Sequence, residues 1–212
     1  MEARIFDKID LAIGEIDKII KNLTVRPRAS RDVSHAGGTG TLEESERVES
    51  ARLMRVNHSG EVAAQALYQG QALTARDPQV KSAMQHAAAE EVDHLAWCEQ
   101  RLKELKGRTS LLNPLWYFAS LAVGALAGAL GDRASLGFIA ETEKQVESHL
   151  LEHMGRLSPH DVRSRAILEQ MRHDEAEHGA KAASMGGKAL PLPITLAMRA
   201  TSQLMTRGSY WI

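Results

Sequence analysis

The feature that most constrains this chain is a doubled spacing of glutamate and histidine. Glu91-Val-Asp-His94 and Glu175-Ala-Glu-His178 are two copies of Glu-x-x-His, and each has a glutamate upstream at a nearly matched distance. Glu61 lies 30 residues before Glu91, and Glu143 lies 32 before Glu175. Residues three apart share one face of a helix, so each copy aims a carboxylate and an imidazole at the same point. The midpoint of Glu61 and Glu91 is residue 76, beside Asp77-Pro78, and the midpoint of Glu143 and Glu175 is Pro159, inside Leu157-Ser-Pro-His-Asp161. Both are turn sequences. Two antiparallel hairpins folded at these turns bring each pair of glutamates to one height, about 20 Å from the turn at 1.5 Å rise per residue.

Four carboxylates and two imidazoles from four helices make the ligand set of a di-metal carboxylate bundle: Glu61, Glu91, His94, Glu143, Glu175 and His178. Oxygen and nitrogen donors without thiolate suit iron or manganese. A single Glu-x-x-His is common on solvated helix faces, but two copies placed symmetrically about turns are hard to obtain that way. Four ionised glutamates balance two divalent ions with both histidines neutral; without metal, the buried carboxylates would raise one another's pKa. Glu141 and Glu147 flank Glu143, and the turn symmetry selects Glu143. Glu90 and Asp174, each four residues before a ligand histidine, are candidate acceptors for the imidazole N–H groups, with plain surface exposure as the alternative. His149 is a candidate near the substrate or an electron route, with a structural histidine as the alternative.

The rest of the chain divides into residues 1–41, an N-terminal amphipathic helix and connector, and residues 42–212, the bundle with its attached helices. Ile5, Ile9, Ile13, Ile16 and Ile20 recur at helical spacing, and the stretch to Thr41 holds Pro27, Gly37, Gly38 and Gly40 without a period. Thr41-Leu-Glu-Glu44 has the form of a capping box that opens the first long helix. Along that helix the face of Glu61 carries Met54, Asn57, His58, Gln65 and Tyr68, a mixture suited to a lined pocket. The second helix runs from Pro78 to about Lys106, with Gly107 as its stop.

Thr109 to Gly131 is a charge-free stretch of 23 residues with a Gly124-x-x-x-Gly128 spacing. Asn113-Pro114 interrupts its start, and a break is expected near Gly131-Asp132, so an interfacial segment fits better than a membrane span. A last helix carries Ile194, Ala197, Met198, Leu204 and Met205 on one stripe, with basic residues elsewhere and Tyr210-Trp211 at its end. The alternative for both segments is core or oligomer packing. A formal net charge of −1 gives no basic field for nucleic acid, and one cysteine, Cys98, excludes an intramolecular disulfide or a thiol metal cluster. No signal-peptide pattern follows Met1, so synthesis in the cytosol without processing is expected.

The segments Leu53-Met-Arg-Val-Asn-His-Ser-Gly-Glu61, Glu90-Glu-Val-Asp-His-Leu95 and Asp174-Glu-Ala-Glu-His178 resemble the demethoxyubiquinone hydroxylase family of ubiquinone biosynthesis, from about residue 50 to the C-terminus. The resemblance implies an all-α, ferritin-like four-helix bundle with additional N-terminal, apolar and C-terminal amphipathic helices. It implies two iron ions on the six ligands, O2 as co-substrate, and an external electron donor, whether reductase, quinol or NADH. The implied reaction hydroxylates the ring of a polyprenylated methoxy-methyl-benzoquinol. The protein would be peripheral on the cytoplasmic face of the cell membrane, as a homo-oligomer or with other ubiquinone-biosynthesis proteins. A tyrosine that follows the histidine matched by His149 in some members is replaced here by Leu150. Because a prenyl tail must stay in the bilayer, Trp116, Tyr117, Phe118, Met198 and Met205 are the candidates for the access face.

Rival functions are a ferritin-like iron-binding, ferroxidase or storage protein, a rubrerythrin-like peroxidase, a hydroxylase of a transfer-RNA base, and a non-enzymatic membrane scaffold. The doubled motif and the apolar segment argue against the first, and the single cysteine against the second. Near-neutral charge argues against the third, and the ligand set against the last.

Overall fold

The protein, described here by a computed structural model, is covered for residues 8–33 and 41–212. Among the described residues there are seven helices and no strands: α1 Lys8–Thr24, α2 Glu44–Thr74, α3 Pro78–Glu104, α4 Asn113–Ala129, α5 Asp132–Arg156, α6 Val162–Ser184 and α7 Leu192–Trp211. The expected members Ile5, Gly37, Gly38 and Gly40 lie outside the described residues.

Hairpins α2–α3 and α5–α6 pack together as the four-helix bundle. Their turns fall where the midpoints place them. Asp77 caps α3 by accepting from the Gln79 N–H at 2.7 Å, with Pro78 in the first turn, and Asp161 caps α6 by accepting from the Ser164 N–H at 3.0 Å. The helix starts and stops differ in detail. The reciprocal capping pair is Glu43 with Glu46, whose carboxylate accepts from the Glu43 N–H, two residues beyond the expected box; Leu42 instead packs against the core. At the end of α3 the left-handed residue is Lys106, at φ 53°, and the Gly107 N–H closes the turn on the Leu102 carbonyl at 2.7 Å.

Two apolar clusters join the hairpins. Leu53, Met54, Trp97, Cys98 and Leu102 meet Leu150, Met154, Ile167, Leu168 and Met171; nearer the α2–α3 turn, Tyr68, Ala72, Val80, Met84 and Ala87 meet Leu136, Ile139 and Ala182. On every helix the glutamates and histidines of the doubled motif fall between members of these clusters, so the polar layer is sealed at both ends. A buried ion pair adds a further tie, from Arg101 to Asp161 at 2.7 Å and to Ser164 Oγ at 2.8 Å.

α4 lies along α2 at backbone contact. A Cβ on Gly124 would stand 2.2 Å from the Leu67 carbonyl oxygen, and one on Gly70 2.2 Å from that of Leu121, so only glycine permits the approach. The break expected near residue 131 is present: Gly131 has φ 111°, and Asp132 accepts from the Arg76 and Asp77 N–H groups at 3.0 and 2.8 Å. No helix among the described residues is long and apolar enough to cross a membrane. α1 docks by Ile19 against the cluster of Val62, Ala66, Leu95 and Tyr117, and by polar contacts beside it. Asn22 donates to Gln69 and to the Tyr117 hydroxyl, and Gln69 to Glu15, while Ile13, Ile16 and Ile20 are more than half exposed.

Candidate metal centre

Glu61 of α2, Glu91 and His94 of α3 and Glu175 of α6 offer ligand atoms that all lie within 4.8 Å of one another, and all four residues are buried. The His94 Nδ1 faces Glu91 at 3.0 Å, Glu175 at 3.3 Å and Glu61 at 3.4 Å. His178 faces the same layer: its Nδ1 is 3.3 Å from Glu175 and 3.6 Å from Glu91. Glu91 and Glu175 thus stand between the two imidazoles. Glu143 of α5 is buried beside Glu175 and accepts from the Tyr68 hydroxyl. The turn symmetry is what sets Glu143 at this level.

The outer nitrogens are also engaged. The His94 Nε2 lies 2.9 Å from Asp174, and the His178 Nε2 2.8 Å from Glu90. The two carboxylates expected beside histidines are there, but each reaches the histidine of the other motif, across the α3–α6 contact. A residue four positions before a histidine lies one turn away on its own helix, whereas the facing helix presents its carboxylate directly to the ring edge. With a proton on Nε2, each Nδ1 keeps its lone pair for the inner layer.

That inner layer calls for positive charge. Glu61 Oε2, Glu91 Oε1 and Glu143 Oε2 are buried without a hydrogen-bond partner. Burial and the charge of Glu175 hold the Glu91 and Glu143 carboxyls well above the usual range. Burial lowers the His94 proton affinity, but the Glu91 charge and the carboxylates of Asp174, Glu175 and Glu61 that face its nitrogens outweigh it, leaving the imidazole well above its ordinary value. Protons here do what divalent cations do better, because one ion can face several oxygens and a ring nitrogen together. The donor set fits hard to intermediate divalent metal ions.

Of the other residues singled out in the sequence, His149 lies beside His153, ring centroids 6.4 Å apart, in a cavity of about 350 Å³ between α5 and α7. Tyr117 is fully buried and donates to Gln69, which removes it from any exposed access face; it turns inward because the glycine contact brings its helix against α2. Trp116 is half-buried and donates to Ser209 Oγ at 3.0 Å, Phe118 is exposed, and Met198 and Met205 are half-buried. None of the five lines the two cavities beside the ligand face of α2. One, of about 790 Å³, is walled by His58, Val62, Gln65, Val92 and Leu95; the other, of about 560 Å³, reaches Tyr68. Both are covered by the N-terminal segment and share Asn22, Gln65 and Val92. This cover was not legible from periodicity, nor was Arg31, which pairs with Asp174 at 2.9 Å from an aperiodic connector.

The family model for the ubiquinone biosynthesis protein COQ7 matches residues 48–209. The chain belongs to the COQ7 family. A 3-demethoxyubiquinol 3-hydroxylase of Nitrosococcus oceani is 51% identical over 214 residues, covering 100% of both chains. Proteins of the same name from Ralstonia pickettii and Burkholderia cenocepacia are 53% identical over 216 residues and 54% over 206; each alignment covers 96% of this chain, and 100% and 99% of the relative. Among solved structures, a dodecameric thioferritin, the bacterioferritin-related protein of Bacteroides fragilis, aligns with TM-score 0.55 at 18% identity, over 76% of this chain and 90% of its own. That likeness makes the COQ7-family bundle ferritin-like in fold.

Proposed function

We propose that this COQ7-family chain is a 3-demethoxyubiquinol 3-hydroxylase, an O2-dependent mono-oxygenase that uses two iron ions. The observation that carries the reading is the sealed layer of four glutamates and two histidines in a chain half identical, over its full length, to proteins of that name. Glu61, Glu91, His94, Glu143, Glu175 and His178 would hold the ions: Glu91 and Glu175 stand between the two imidazoles, with Glu61 beside His94 and Glu143 beside Glu175. Iron, when bound, would supply the activation of O2, so that one oxygen atom enters the ring C–H bond as hydroxyl and the other leaves as water, with two electrons from an external donor and two protons from solvent. Asp174 and Glu90 keep the histidine protons on Nε2, and Tyr68 holds Glu143 by its hydroxyl. The apolar clusters above and below keep water from the layer.

The cavities roofed by the N-terminal segment are the seat of the quinol ring, with Gln65, His58 and Asn22 as polar wall and Val62, Val92 and Leu95 as apolar wall. The tail stays in lipid. Supporting this, Phe118 and Leu126 of α4, Leu130 just beyond its end, and Leu192, Leu196 and Leu204 of α7 point outward, and α1 adds Ile13, Ile16 and Ile20. α4 touches α1 through Tyr117 and α7 through Trp116, so the apolar faces of the three helices adjoin, which supports a lipid-facing side. Quinone profiling tests the function. A strain lacking the gene should accumulate the ring short of one hydroxyl; the native gene should clear it and Glu175→Ala should not. An unaltered quinone pool would sink the hydroxylase reading.

A further inference from the structure

Arg31 belongs to a connector without period or motif, ahead of the residues matched by the family model. Its guanidinium bridges the two motif-bearing helices: Nε donates to Asp93 of α3 at 2.8 Å and Nη2 to Asp174 of α6 at 2.9 Å. The Asp174 oxygen that accepts from Arg31 is the one that accepts from His94, and its other oxygen accepts from Gln170 at 2.8 Å. The connector is fastened around it. Ser30 donates to Asp93 from its backbone N–H and its hydroxyl, the Trp97 indole N–H donates to the Arg31 carbonyl at 3.0 Å, and the guanidinium lies 5.2 Å from the Trp97 ring centroid. Among the described residues the other half of the doubled motif shows no such clamp: Glu90 is 35% exposed, and beyond His178 the side chain facing it is His86, at 3.7 Å.

We propose that Arg31 is a positioning residue of the metal centre, holding Asp174 at the angle that orients His94, so that the N-terminal segment takes part in binding one of the two ions. This rests on reading the six residues as metal ligands. A planar fork between two carboxylates fixes both at once, which a single lysine charge cannot do. Freed from Arg31, Asp174 can turn about its side chain, and the imaging of that motion on the His94 ring weakens the ion on that side only. Loss of a direct outer partner typically weakens metal binding about 10–100-fold, and one bond further out about 3–10-fold is expected.

The test is anaerobic titration of ferrous iron into metal-free full-length protein, with bound iron measured by equilibrium dialysis, for native, Arg31→Gln, Arg31→Lys, Ser30→Ala and Asp174→Asn chains. Far-UV circular dichroism checks that each is folded. Arg31→Gln should weaken one ion and leave the other, Asp174→Asn should weaken the same ion further, and Arg31→Lys should fall between native and Arg31→Gln. Ser30→Ala, which loosens the connector at Asp93 but spares the Arg31–Asp174 pair, should bind as native. Native-like binding by Arg31→Gln, or an equal loss in Ser30→Ala, overturns the role of Arg31 while the metal centre stands. A native chain that takes up no iron overturns both.

Discussion

At the scale of single residues, the chain separates buried groups that want a cation from buried groups that refuse one. The inner layer is the first kind. His153 is the second: buried, it donates from Nδ1 to Asn57 at 2.7 Å, and burial, helped by the nearby His149 and Arg156, pushes its imidazole down to about 4. A histidine lowered in the fold binds its proton more readily when unfolded. Its contribution is therefore complete above the ordinary value of 6.5 and is lost as pH falls from there toward 4. Between pH 7 and pH 5 this loss is about 2 kcal/mol. Urea unfolding at the two pH values should show it in the native protein, and His153→Gln should lack that part of the slope; equal slopes would mean that His153 is protonated in the fold.

At the scale of elements, α4 is held to α2 by the absence of side chains. Adding one methyl at Gly124 forces it into the backbone of Leu67, so Gly124→Ala should destabilise by about 1–3 kcal/mol in denaturant unfolding. Gly155, in α5, has open space where a Cβ would go, and Gly155→Ala should instead stabilise by about 0.5–1 kcal/mol through helix propensity. If the two changed stability alike, the close approach would be unsupported. The helix boundaries were legible to within a few residues because proline, aspartate and glycine act locally. Which side of α1 faces the bundle was not, since the polar docking through Asn22 and Gln69 joins residues far apart in the chain.

At the scale of the whole molecule, the proposed metal centre and the proposed lipid-facing side lie on different surfaces and can be tested separately. Under anaerobic conditions, chelation should lower the melting temperature: free ion at 1,000 times its Kd stabilises a folded site by about 4 kcal/mol. A melting temperature indifferent to chelator would mean that the layer is held by protons alone. Replacing Phe118, Leu126, Leu196 and Leu204 by serine should abolish flotation with liposomes while iron content stays at the native level. Unchanged flotation would place the membrane contact elsewhere.

The doubled Glu and Glu-x-x-His spacing determined by itself the two hairpins, the height of the polar layer and the six side chains that meet there, because helical rise and period are constants of the backbone. Tertiary structure alone decided how the hairpins are rotated against each other. That rotation gives His94 to Asp174 and His178 to Glu90; the close contact of α4 with α2 turns Tyr117 inward, and the N-terminal connector lays Arg31 across Asp93 and Asp174. These contacts depend on the packing of distant segments, whose relative orientation no local period encodes.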